Sequence, residues 1–160
     1  MRRINLSAVS ERETKSPKGK YHAYVKEVSV ALGREPRSLD LMKRHPFDFA
    51  VVRVPAGATL CPYHAHSAQW ELYVVSAGVG NVRHEEGITE VSVGDAFLFG
   101  PGEAHQIANV GKEDLIYYVI ADNPFGTSCY YPHSKKWMVG QPSERVVLSG
   151  READYYEGEE

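Results

Sequence analysis

The chain has only two cysteines, Cys61 and Cys129, in 160 residues, too few for a disulfide framework. It also lacks a long apolar run. The longest, Leu115 to Ala121, is far too short to cross a bilayer, which excludes a membrane span. An excess of basic residues is missing as well: a net charge of −3 and a pI near 6.2 leave no electrostatic footprint for phosphate backbones, so no nucleic-acid partner is expected. The opening residues Met1-Arg2-Arg3-Ile4-Asn5-Leu6 carry charge with no apolar stretch behind it, so there is no export signal and the expected location is the cytoplasm. Long helical periodicity and internal repeats are absent too. The length fits one globular unit able to bury its own core.

What the sequence does contain is a series of short apolar runs punctuated by Gly, Pro and Asn. Phe49 to Val54, Glu71 to Val75, Gly80 to His84, Thr89 to Val93, Ala96 to Phe99, Gln106 to Asn109 and Leu115 to Ala121 read as strands. Turn signals such as Pro55-Ala56-Gly57, Glu85-Glu86-Gly87 and Asn109-Val110-Gly111 separate them. This predicts an all-β antiparallel sandwich or barrel over residues 47–121. Residues 1–46 read as an N-terminal arm with at least one short strand, Tyr24 to Val30. Residues 122–150, with Cys129-Tyr130-Tyr131-Pro132 and Trp137, read as an irregular aromatic segment packed on the barrel. The acidic, aliphatic-poor residues 151–160 read as a solvated tail.

Chemistry concentrates in His64, His66, Glu71 and His105. Alternation along a strand sends His64 and His66 to the same side, where neighbouring strands can deliver Glu71 and His105. Taken singly, a His-x-His pair is a surface accident as readily as a ligand pair. Glu71, however, opens the apolar run Leu72-Tyr73-Val74-Val75, where an unpaired buried charge would be costly. Three imidazoles and one carboxylate suit one first-row divalent metal (Fe, Mn, Zn or Ni) and leave open positions for water or substrate. Parity from Glu71 and His105 turns Tyr73 and Ile107 to the ligand side, and Gln69 lies in the loop between the His pair and Glu71. These three are the candidate pocket residues; no catalytic residue can be named. Asn109 reads as a strand-end anchor, Cys61 as a small buried hydrophobe, and His22, His45, His84 and His133 as ordinary structural histidines.

These residues resemble the two motifs of the cupin superfamily. The first is visible as Gly57, His64-Ala65-His66, Glu71 and Gly78, the second as Gly94-Asp95, Pro101-Gly102, His105 and Asn109. Six residues instead of the usual five separate Gly57 from His64, and Pro101 adjoins Gly102 where the family has a residue between them; both departures fall in turns. The resemblance implies a double-stranded β-helix, a jelly-roll barrel closing around the metal. The whole chain looks like a group of small single-domain cupins of unassigned function, whose members carry provisional labels such as sugar-phosphate isomerase or dioxygenase.

The expected function is therefore metal-dependent binding of a small polar metabolite, with isomerase or related Lewis-acid chemistry. An Fe(II)-dependent dioxygenase and a non-catalytic small-molecule binding protein are the alternatives. A sugar phosphate would need a basic group in the pocket, and the ligand-bearing strands supply none: Arg53 and Arg83 lie on flanking strands, while Lys135 and Lys136 would have to fold over the site. An edge strand in the N-terminal arm predicts a homodimer, as does the family resemblance.

Overall fold

The chain alternates β-branched and aromatic residues with turn formers, and its backbone answers with strands. The computed structural model describes residues 1–36, 38–141 and 144–159. In chain order the strands are β1 (Arg12–Lys15), β2 (His22–Glu27), β3 (Phe47–Val54), β4 (Ala65–His66), β5 (Glu71–Ala77), β6 (Val79–His84) and β7 (Gly87–Ser92). They continue as β8 (Ala96–Phe99), β9 (Gln106–Asn109), β10 (Leu115–Asp122), β11 (Cys129–Tyr131), β12 (Lys136–Gln141) and β13 (Glu144–Ser149). Two single-turn helices, α1 (Val28–Ala31) and α2 (Leu41–Arg44), interrupt the N-terminal part. Among the described residues, no helix is long and apolar enough to cross a membrane.

Three antiparallel sheets build the fold: a six-stranded sheet in the order β1-β2-β3-β10-β5-β8, a three-stranded sheet β7-β6-β9 and a four-stranded sheet β13-β12-β11-β4. The expected all-β double-stranded β-helix is thus present. Its spine is β10, whose eight residues pair with all of β3 on one side and with β5 on the other. Inward-facing Val52, Val54, Tyr73, Val75, Val82, Ile107, Leu115 and Tyr117 meet in one buried core. At roughly 1.5–3 kcal/mol per fully buried large apolar side chain, this layer is the principal driving force for closing the sheets on each other.

Asn109 anchors the far end of β9. Its buried amide donates to the Val54 and Glu113 carbonyls at 2.7 and 2.8 Å and accepts the Gly111 N–H at 2.9 Å.

Two expectations need correction. The strand expected over Tyr24 to Val30 stops at Glu27, where the chain turns into α1 and Ser29 is buried with its hydroxyl accepting the Phe49 N–H at 2.7 Å. The segment expected to be irregular after residue 122 instead forms β11, β12 and β13. Its backbone groups cannot lie against the barrel unsatisfied. Pairing of β11 with β4, and of β12 with its neighbours on both sides, satisfies them. Residues 151–159 are exposed, and Glu160 of the expected tail, like Pro142 and Ser143 of the segment before it, lies outside the described residues.

Gly78, at the turn from β5 to β6, is required by close approach. It adopts φ +80°, and a Cβ placed there would meet the Asp114 carbonyl oxygen at 2.5 Å and Leu115 Cα at 2.9 Å, both of them backbone. Neither neighbour can yield without shifting the central strand. Gly78→Ala is therefore expected to cost about 2–4 kcal/mol, from the combined backbone strain and overpacking, seen as a lowered urea midpoint with an unchanged slope. Gly57→Ala, which meets nothing within 4 Å, is the control for the positive-φ penalty alone.

Candidate metal centre

His64 and His105 face each other across an isolated antiparallel bridge. Each donates its backbone N–H to the other's carbonyl, at 3.1 and 2.8 Å. Two residues on, His66 ends β4, and Glu71 opens β5. All four side chains are buried or nearly so: His64 and His105 are 8% and 2% exposed, and the side chains of His66 and Glu71 14% and 13%.

The four residues converge. Glu71 Oε2 lies 3.0 Å from His105 Nε2 and 3.5 Å from His66 Nε2, and the ring of His64 is centred 5.0 Å from that of His66 and 4.8 Å from that of His105. Donor atoms of His64, Glu71 and His105 lie within 4.8 Å of one another, as do those of His64, His66 and Cys129. Two of the rings are locked in one tautomer. Nδ1 of His64 is 2.9 Å from the Pro62 carbonyl, and Nδ1 of His105 is 3.1 Å from the Glu103 carbonyl. A carbonyl oxygen only accepts, so each Nδ1 carries a proton, which leaves Nε2 as the nitrogen of each ring that can offer a lone pair to a ligand.

A second layer holds this arrangement. The Phe99 ring stacks on His105 at 4.1 Å and 3° between planes. The Tyr73 hydroxyl donates to Glu71 Oε2 at 3.0 Å and lies 3.2 Å from His105 Nε2. Burial holds the Tyr73 phenol protonated far above its usual range, with the Glu71 charge adding to the effect.

Electrostatics keep the donors in ligand form. Burial, then the neighbouring His105, pulls the pKa of His64 down to about 4, and burial also lowers that of His66. For Glu71 burial pushes upward, but the His105 hydrogen bond and the charges of the three histidines outweigh it and bring the carboxyl down to about 2. Around neutral pH the buried histidines His64 and His66 are uncharged and the carboxylate is ionised.

The other candidates separate. Gln69 lines the wall of a cleft beside His66, its Nε2 donating to the Asp122 carbonyl at 2.6 Å. Tyr73 reaches the cluster with its hydroxyl while its ring belongs to the core, and Ile107 is packed in the same core. Cys61 is half-buried with Sγ 3.7 Å from His64 Nδ1, its thiol pushed up to about 12 chiefly by burial. His22, His84 and His45 pair with Glu13, Thr89 and Arg2, and the ring of His133 lies against that of Tyr63.

Sequence reasoning missed Cys129. Its register opposite His66, through the β11–β4 pairing, brings a buried thiol to the cluster from 63 positions along the chain. It missed equally the arginines of the cleft. Arg53 is held by Glu11 and Asp114, and Arg83 stacks over Tyr63. A neighbouring cleft that shares Gln69 with the one beside His66 is lined instead by Arg34, Arg44 and Arg145, and no local pattern marks these three.

Comparison with known proteins agrees with this geometry. The cupin domain family matches residues 50–121. The oxalate-binding protein of Thermotoga maritima is 32% identical over 73 residues, which span 45% of this chain and 59% of that protein, less than two thirds of the relative's length. A sugar phosphate isomerase of the cupin superfamily from Silicibacter pomeroyi superposes with a TM-score of 0.76 at 19% identity, covering 91% of each chain. A predicted oxalate decarboxylase from Thermotoga maritima superposes at 0.59 with 18% identity, over 76% of this chain and 98% of that one. At such identities the structural likeness is one of fold. Residues 50–121, with both histidine motifs, match the cupin domain family over a little under half of the chain, and the rolled sheets that carry them share the fold of these cupin structures.

Proposed function

We propose that this chain is a metal-dependent cupin that binds a small polar metabolite beside His66 and acts on it as an isomerase or related Lewis-acid enzyme in the cytoplasm. The observation that carries the reading is the meeting of three imidazoles and one carboxylate in a buried site, two of the rings fixed by their Nδ1 so that Nε2 is the nitrogen turned to the cluster. Neutral nitrogen and anionic oxygen donors fit one divalent ion such as Fe, Mn, Zn or Ni. His64, His66, Glu71 and His105 would hold it. Once bound, such an ion polarises the oxygens of a hydroxy-carbonyl substrate.

The rest is done by the chain. Glu71 supplies the one negative charge of the donor set, and the Tyr73 hydroxyl holds that carboxylate in place, which makes Tyr73 a positioning residue. Gln69 brings an amide to the cleft wall. Ile107 fills the core shared with Tyr73 and shapes the site from behind.

One finding favours a second reading, a non-catalytic protein that captures a small carboxylate at the same centre: the relative that is 32% identical is an oxalate-binding protein. Turnover separates the two, and oxygen consumption separates both from an Fe(II) dioxygenase.

The protein purified without added metal is expected to carry one divalent ion per chain by elemental analysis, and His105→Ala or Glu71→Gln to lose it. Full loading in both variants would remove the centre. Tyr73→Phe is expected to weaken metal affinity about tenfold, as loss of a group that orients a ligand does, with little change in thermal stability; an unchanged affinity would reduce Tyr73 to a core residue. We also propose a homodimer. The edge of the six-stranded sheet on the arm side is the short, exposed β1 and not the arm strand β2, and Trp137, Val147 and Leu148 expose apolar surface on β12 and β13. Light scattering at micromolar concentration is expected to give twice the chain mass, and a monomer would refute the proposal.

A further inference from the structure

Arg44 is the last residue of α2, a guanidinium only 2% exposed. It lies over the Phe125 ring, 3.7 Å from its centre, and donates through Nη2 to the Asn123 carbonyl. Among the described residues its Nε has no hydrogen-bond partner, and no carboxylate lies within 4 Å of it. The neighbouring Arg34 is fully engaged: it meets Asp48 at 3.0 Å, the Asn123 amide oxygen at 2.9 Å and the Arg44 carbonyl at 3.1 Å. Its charge is answered by Asp48, whereas that of Arg44 is not. An uncompensated buried cation is among the costliest groups a fold can carry.

The surroundings repeat the pattern. Arg44 lines a cleft of about 50 Å³ together with Arg34, Gln69, Asn123, Thr127 and Arg145. The Thr127 hydroxyl is also buried, without a partner among the described residues. Arg145, from β13, brings a second guanidinium with no carboxylate within 4 Å among the described residues. This cleft shares Gln69, Thr127 and Arg145 with a second one, of about 30 Å³, whose walls include His66 and Cys129. Positive charge with unfilled donors therefore stands next to the metal-centre residues, in a hollow with room for a few waters or one small anionic group.

We propose that the cleft formed by Arg44, Thr127 and Arg145 is an oxyanion-binding subsite, which takes the phosphate or carboxylate terminus of a small metabolite. Oxygens of such a group accept from the Arg44 Nε–H, the Thr127 hydroxyl and the Arg145 guanidinium, charge-assisted hydrogen bonds that satisfy both orphaned donors and neutralise the buried cation. The substrate class follows: an acidic metabolite with one end in this cleft and its reacting oxygens toward His66. Only that orientation rests on the metal-centre reading; the subsite itself does not.

The test is a calorimetric titration of inorganic phosphate and, separately, succinate into chelator-treated protein, so that failure of the metal centre leaves the result intact. Saturable binding of at least one anion is expected, and the tighter of the two identifies the terminus. Arg145→Gln and Thr127→Val are each expected to weaken it about fivefold or more, and Arg44→Gln to abolish it. Should Arg44→Gln fail to fold, the other two variants decide, because Arg145 is exposed and Thr127→Val preserves shape. Binding unchanged in both, no saturable binding of either anion, or binding that appears only after metal is added would overturn the subsite.

Discussion

The reciprocal backbone hydrogen bonds between His64 and His105 are the constraint on which the site depends. They tie the loop before β4 to the loop before β9, two segments that share no continuous strand pairing, and they set the separation of two imidazoles before any side chain is considered. The carbonyls of Pro62 and Glu103, each two residues before its histidine, then fix the ring tautomers. Geometry and protonation are thus both written into main-chain groups, which cannot rotate away as side chains can.

Burial works in the same direction as this geometry. An imidazolium at His64 or His66 would be poorly solvated in the buried site and repelled by a charged neighbour, so the neutral ring prevails there. The carboxylate of Glu71 withstands the same burial because the His105 hydrogen bond, and the charge the three imidazoles take up in acid where the carboxyl titrates, favour its ionised form. Acid and base are pushed apart by one environment, so that at neutral pH their lone pairs are available together.

Much of this was legible from the chain. Alternation along Glu71-Leu72-Tyr73-Val74-Val75 fixed which side chains turn inward, and Tyr73 reaches Glu71 as that parity requires. The apolar runs between glycines marked seven barrel strands within a residue or two, because most of these strands bury one face and turns bound them. The C-terminal strands escaped notice for a physical reason: β4, their partner, is two residues long, and neither it nor Cys129-Tyr130-Tyr131 carries a period that would betray the pairing. Arg34, Arg44 and Arg145 were invisible in the same way. They come from a loop, a single helical turn and a distal hairpin, and only tertiary folding makes them neighbours. Parity and spacing identify residues that share a strand; they are silent on residues that share only a cavity.

The pairing of β11 with β4 has a consequence for where the functional unit ends. The region matching the cupin family stops at residue 121, yet one edge of the strand that carries His66 is sealed by a segment beyond it, as is one side of the adjoining hollow. The barrel supplies the cluster of histidines and carboxylate, and the pieces at either end, α2 before it and the β11–β13 sheet after it, furnish walls of the adjoining clefts. Divergence among such small barrels would then proceed by exchanging their flanks while the rolled sheet stays the same.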